Sequence, residues 1–138
     1  MDFIIKEYTN YNEEEIINLY NSVGWVNYVK NPKMLEEAYH NSLMIYGAYV
    51  NNLLVGIIRI VGDGKSVILI QDLLVKPRYQ NNGIGKKLVN TVLDSYKNVY
   101  QIHVYTDFND KLTRFYKSFG FLIDTDINCR TLSKFNNN

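Results

Sequence analysis

Asp72-Leu73-Leu74-Val75-Lys76-Pro77-Arg78-Tyr79-Gln80-Asn81-Asn82-Gly83-Ile84-Gly85-Lys86-Lys87-Leu88 is the stretch whose reading decides the fold. An apolar run stops at Pro77, a polar turn carrying Gly83 and Gly85 follows, and an amphipathic segment begins. Locally this is strand, turn, helix. Such a turn aims the unpaired N–H groups of a helix N-terminus past the end of the strand, where they can hold a pyrophosphate. Gly83 and Gly85 have no Cβ, so the backbone can take unusual angles and approach a phosphate closely. Lys86 and Lys87 stand in the first helical turn, where an empty helix favours acids. Two cations there fit an anion bound at that end. A plain strand–turn–helix connection reads the same way, so the loop alone leaves both interpretations open. A dinucleotide fingerprint, Gly-x-Gly-x-x-Gly, does not fit, because position 88 is Leu88.

Working outward, Phe3–Tyr8 predicts a first strand. Asn12-Glu13-Glu14-Glu15 opens a helix through Tyr20, with acids where the dipole favours them. Asn31-Pro32 starts a second helix, with Met34, Leu35 and Ala38 as its apolar side and an end near Asn41. Met44–Val50 and Leu53–Val61 read as a hairpin across Asn51-Asn52, a pair that tolerates left-handed backbone. Gly62-Asp63-Gly64 leads into a third long strand, Ser66–Lys76, so continuously apolar that it should lie centrally with both faces covered. The helix beginning near Gly83 places Ile84, Leu88, Val92 and Tyr96 on one side. Val99–Thr106 is the next strand. Asn109–Ser118 is a short helix with Leu112, Phe115, Tyr116 and Phe119 on one face, closed by Gly120. Strands near Phe121–Ile123 and Asn128–Leu132 are expected to finish the chain. The order β-α-α-β-β-β-α-β-α-β-β indicates an α/β (α+β) fold with a mixed sheet flanked by helices.

At 138 residues the chain fits one domain, 1–138, able to bury roughly two-thirds of its unfolded surface. A net charge of +1 gives no electrostatic case for a nucleic-acid or membrane partner. The lone Cys129 allows no internal disulfide and, with two histidines, no zinc site, so no metal is expected. Met1–Glu7 lacks the basic start and apolar core of a signal peptide, which makes a cytoplasmic location the expectation.

A second constellation follows the next strand: Asn109-x-x-Leu112-x-x-Phe115-Tyr116-x-x-x-Gly120-Phe121. By itself it is a capped helix with an apolar stripe. Taken with Gln80, Gly83 and Gly85, it resembles the GCN5-related N-acetyltransferase (GNAT) superfamily. That superfamily carries Gln/Arg-x-x-Gly-x-Gly/Ala in its acyl-CoA loop and Asn-x-x-Ala-x-x-x-Tyr-x-x-x-Gly-Phe one strand later. Asn109, Tyr116, Gly120 and Phe121 match in register, while Leu112 replaces the usual small residue. The resemblance is strongest over about Val67–Ile123 and extends to the whole chain by element order. It implies a mixed, mostly antiparallel sheet of about seven strands flanked by about four helices, with splayed central strands.

The resemblance also implies an acetyltransferase that uses acetyl-CoA. Backbone groups of Leu73, Leu74 and Val75 would pair with the pantetheine arm as an added strand does. The loop Gln80, Asn81, Asn82, Gly83, Ile84, Gly85 and Lys86 would hold the pyrophosphate, and Asn109 would bond the pantetheine. Tyr116 would sit near the thioester sulfur as general acid, since a phenol of pKa ~10 can supply a proton or a hydrogen bond. The N–H around Leu73 would face the carbonyl oxygen as its charge builds. The expected acceptor is a small-molecule primary amine. A protein Nα or lysine acetyltransferase, a CoA-binding regulatory module without turnover, and a homodimer are compatible with the same residues.

Relatives often place Glu or His on this strand where Leu69 and Gln71 stand, and neither of those takes a proton. Asp72 is the strand's one carboxylate, and period-two alternation puts it on the opposite face from Gln71. A bulge would re-aim it. Asp72 is therefore expected to help deprotonate or orient the amine, with a buried partnership to Arg59 as the structural alternative. An amine of pKa ~10.4 is only about one part in a thousand neutral near pH 7.4, so it must lose a proton somewhere. Trp25, Tyr28, Gln71 and Asp72 are the candidate acceptor residues, with Tyr46 a weaker one. Asn21–Tyr28 and Ile70–Leu73 resemble small bacterial GNAT proteins related to plastid-type serotonin acetyltransferases, which implies an aromatic or small amine. His103 reads as a structural histidine and Cys129 as packing.

Overall fold

The computed structural model describes residues 1–136. The chain divides into two compact units, Met1–Val104 and Tyr105–Asn138.

The first unit is a five-stranded sheet in the order β1-β2-β3-β4-β5. Its strands are β1 (Ile4–Glu7), β2 (Met44–Val50), β3 (Leu53–Gly62), β4 (Val67–Val75) and β5 (Gln101–Val104). The first four pair antiparallel, and β5 joins β4 in parallel. Asn51 and Asn52 turn β2 into β3 at φ 49° and 67°, the left-handed backbone that this pair tolerates.

Helices α1 (Glu13–Ser22), α2 (Val26–Val29) and α3 (Pro32–His40) lie between β1 and β2. Asn12 caps α1 by accepting the N–H of Glu15, and Asn31 caps α3 by accepting that of Met34. Ile16, Leu19 and Tyr20 of α1 meet Leu35 and Tyr39 of α3 in one buried cluster with Ile45, Leu54, Ile57 and Leu74 of the sheet. Helix α4 (Ile84–Ser95) packs on β2, β3 and β4 and buries Ile84, Leu88, Val89 and Val92. Gly56 makes that docking close. A Cβ there would stand 3.0 Å from the Leu74 carbonyl oxygen and 3.5 Å from Ile84.

In the second unit, α5 (Asp110–Lys117) is capped by Asn109 and followed by a turn through Gly120, which has φ 93°. A single 3₁₀ turn, Asp124–Ile127, follows. The strands expected near Phe121–Ile123 and Asn128–Leu132 do not form, so the sheet has five strands instead of seven. The run Asp124-Thr125-Asp126 is turn chemistry: Asp124 Oδ1 accepts the N–H of Thr125, and Asn128 takes a left-handed φ of 55°. The helix count also differs, because α2, too short to show periodicity, makes five. Among the described residues no helix is long and apolar enough to cross a membrane.

Candidate active site

The loop after β4 folds back on its own backbone. Pro77–Tyr79 makes a 3₁₀ turn, the Gln80 Nε2 group donates to the Val75 carbonyl at 3.0 Å, and Asn82 Nδ2 donates to the carbonyls of Tyr79 and Gln80. Asn81 and Gly83 both take positive φ, 63° and 83°. Gly83 is the N-cap of α4 and offers no side chain to it. The first backbone bond of the helix runs from the Lys87 N–H to the Gly83 carbonyl. The N–H groups of Ile84, Gly85 and Lys86 therefore have no partner among the described residues. A Cβ on Gly83 would meet nothing within 4 Å. The glycine serves the left-handed φ, and the protein itself leaves the space around it open. A bare, positively polarised helix end beside two exposed lysines fits a pyrophosphate.

β4 offers a second free edge. Its pairing with β5 covers only Val67–Ile70 against Gln101–Val104, so Gln71–Val75 runs on without that partner. β5 ends at Val104, so among the described residues Leu73, Leu74 and Val75 have no strand paired on that edge, which leaves it to an extended ligand.

β4 carries a bulge. Arg59 pairs with Asp72 and Ile60 with Ile70, leaving Gln71 without a counterpart on β3. The alternation argument for Gln71 and Asp72 fails at this point, because the extra residue resets the period. Both side chains reach the same aromatic cluster. Gln71 Nε2 donates to the Tyr28 hydroxyl at 3.2 Å, and the Tyr20 hydroxyl donates to Asp72 Oδ2 at 2.7 Å. The Tyr20 and Tyr28 rings meet edge to face at 5.3 Å, and Trp25 approaches Tyr20 at 5.9 Å.

Asp72 is 2% exposed and also accepts from Arg59 Nε at 2.7 Å. Arg59 continues to Ser42 Oγ at 3.2 Å, and Tyr39 shares a 3.0 Å hydrogen bond with Tyr20. Burial works against the Arg59 charge, but the Asp72 carboxylate outweighs it and raises the guanidinium pKa. Burial, then Tyr39 and Asp72, pushes the Tyr20 phenol far above its ordinary value, so it stays a donor.

In the second unit, Asn109 Oδ1 accepts the N–H of Leu112. Tyr116 is buried, with Phe115 and Phe121 edge-on to its ring at 5.1 and 5.6 Å. Burial raises its phenol to a pKa of about 12.

A model of the acetyltransferase (GNAT) family matches residues 8–121. The chain belongs to the GNAT acetyltransferase family. It is an acyltransferase enzyme, and the family uses acetyl-CoA. A GNAT-family acetyltransferase from Streptococcus pneumoniae TIGR4 has 38% identity and a TM-score of 0.89, with 99% of this chain and 100% of that one covered. An uncharacterized N-acetyltransferase, ycf52, of Pyropia yezoensis is 30% identical over 131 residues, covering 91% of this chain and 73% of its own. PaiA N-acetyltransferase from Thermoplasma acidophilum, solved with coenzyme A, shares the fold at a TM-score of 0.67 and 17% identity, over 86% and 89% of the two chains.

Within this GNAT unit some expected residues fall elsewhere. The Tyr46 hydroxyl donates to Ser95 of α4 and takes no part in the Trp25–Tyr28 cluster. His103 is exposed on the edge strand β5, bonded to Gln101, and is no core histidine. Cys129 is exposed and outside any strand, so it does not pack. Sequence reasoning missed Tyr20, Tyr39 and Ser42. The signal for the two tyrosines is the frequency of that residue, twelve in 138, and Ser42 has none.

Proposed function

We propose that this GNAT enzyme passes the acetyl group of acetyl-CoA to a small-molecule primary amine, by direct attack in a ternary complex. The observation that carries this reading is the half-buried cluster of Trp25, Tyr28 and Gln71 beside the free edge of β4. An aromatic wall with one carboxamide suits a compact, partly apolar amine.

When bound, acetyl-CoA supplies the activated acetyl thioester. The unpartnered N–H groups at the start of α4, with Lys86, hold its pyrophosphate. Leu73, Leu74 and Val75 pair with the pantetheine along the free edge of β4, while Gln80 keeps the loop tied to Val75. The Leu73 N–H stabilises the carbonyl oxygen. Asn109 spends Oδ1 on capping α5 and keeps its amide N–H groups for the pantetheine.

Tyr116 serves the sulfur. With a pKa of about 12 it stays protonated, well above a thiol's ~8.5, so it stabilises the departing sulfur by hydrogen bonding without surrendering the proton. Asp72, bonded to Arg59 and Tyr20 through Oδ2, orients the acceptor wall; water carries the amine's proton away. Reading 1–138 as one domain is supported by the family match, which runs through both units.

The test is thiol release from acetyl-CoA with phenethylamine, tyramine, putrescine, and a peptide with a free N-terminus and one lysine. The aromatic amines should turn over fastest, with kcat/KM rising with pH as the amines deprotonate. Acetylation of the peptide alone would replace this reading with a protein acetyltransferase. Tight CoA binding with no amine accepted would leave a regulatory module.

A further inference from the structure

Behind the Gln71–Tyr28 pair lies a layer of polar side chains built around Asp72. We propose that Arg59 is a positioning residue for the acceptor, acting through Asp72 to fix the β4 bulge. The inference rests on the acceptor site just described and names what sets its geometry.

A bulge places an extra residue in one strand, and a strand able to slip by one turns its side chains to the other face. In β4 the extra residue is Gln71, which meets Tyr28. The next residue is Asp72, and its partner across the ladder is Arg59. Their 2.7 Å charge-assisted bond crosses the sheet one residue from the irregularity. It forbids the pairing in which Gln71 would face Arg59, since a carboxamide brings no charge to a buried guanidinium.

The rest of the layer extends this pin to the helices. Arg59 Nη1 donates to Ser42, whose hydroxyl donates to the Ala38 carbonyl at 2.7 Å. Tyr20 donates to Asp72 while its ring carries Tyr28. Gln71 is thus the chain neighbour of Asp72, and Tyr28 reaches the same carboxylate through the ring and hydroxyl of Tyr20. Releasing Arg59 loosens both halves of the acceptor wall together.

The experiment reads phenethylamine binding by the fluorescence of Trp25, the protein's sole tryptophan, in the intact chain with and without acetyl-CoA. Arg59→Lys keeps the charge and loses the planar fork. It should weaken the amine about tenfold, within the range for residues sharing one network, and leave acetyl-CoA affinity unchanged. In a Gln71→Ala background the same substitution should cost clearly less than in the wild type, because only the Tyr28 half of the wall is left to loosen. Additive losses, or parallel losses of amine and acetyl-CoA affinity, would mean Arg59 merely stabilises the fold and would overturn the proposal. If Arg59→Lys does not fold, Ser42→Ala, which removes the acceptor of Arg59 Nη1, enters the same cycle with a smaller loss expected in the same direction. Gln71→Ala without effect on the amine would overturn the acceptor site and this inference with it. An effective Gln71→Ala beside a silent Arg59→Lys would overturn this inference alone.

Discussion

Midway along β4, around Gln71, the chemistry is carried by side chains: a buried ion pair, three tyrosines, a carboxamide and a tryptophan, drawn from five separate elements. Past the strand's end at Val75, it is carried by backbone. The loop from Gln80 to Lys86 spends its side-chain amides on its own carbonyls and leaves the N–H groups of α4 bare. The two regions suit different tasks. A backbone nest recognises any pyrophosphate and needs little from neighbouring residues. A side-chain wall distinguishes one amine from another, and each of its members must be held by something else.

Substitutions can break this division or sharpen it. The largest effect should come from a residue assigned to neither region. Tyr116→Phe keeps the ring against Phe115 and Phe121 and removes the hydroxyl. kcat should fall by ~10²–10³, the range for removing one hydrogen bond aimed at charge that develops in the transition state, with amine and CoA affinities retained. Turnover at the wild-type rate in steady-state assays would remove Tyr116 from the chemistry.

Asp72→Asn is the next largest. It leaves Arg59 buried without its counter-charge, and breaking a buried pair from one side costs about 3–5 kcal/mol. The urea midpoint should drop, and acceptors of every basicity should lose activity alike. A loss confined to strongly basic amines at unchanged stability would make Asp72 the proton acceptor instead.

The smallest effect concerns pH. Burial raises the phenols of Tyr8, Tyr11, Tyr20, Tyr39 and Tyr116 above their ordinary value near 10. A group whose folded pKa is raised contributes its full stabilisation below the unfolded pKa and loses it as pH climbs to the folded one. Stability measured by urea unfolding should therefore hold level below pH 10 and decline from 10 to 12. A level profile through pH 12 would contradict the burial of these phenols.

The two regions were also unequally legible. The loop announces itself because glycines at 83 and 85, after a proline and before an apolar stripe, are local signals. Even so, what glycine provides at 83 is its φ, visible only in the folded backbone. The proposed acceptor wall is non-local. Tyr20 lies 52 residues from Asp72 and 19 from Tyr39, and no periodicity links them. The bulge has no glycine to mark it, so alternation put Gln71 and Asp72 on opposite faces. At the C-terminal end, β-rich composition suggested two strands where the Asp124–Asp126 run forms a turn. Short-range turn chemistry prevailed over apolar content there.

The central claim, that bare backbone at the start of α4 holds acetyl-CoA, is tested most directly at Gly83. Asn tolerates left-handed φ, so Gly83→Asn should fold as the wild type does while placing a side chain in the open space beside the free N–H groups. Calorimetric titration with CoA should show affinity reduced about 10–100-fold, the worth of one or two charge-assisted hydrogen bonds. A folded Gly83→Asn protein that binds CoA as tightly as the wild type would contradict the account.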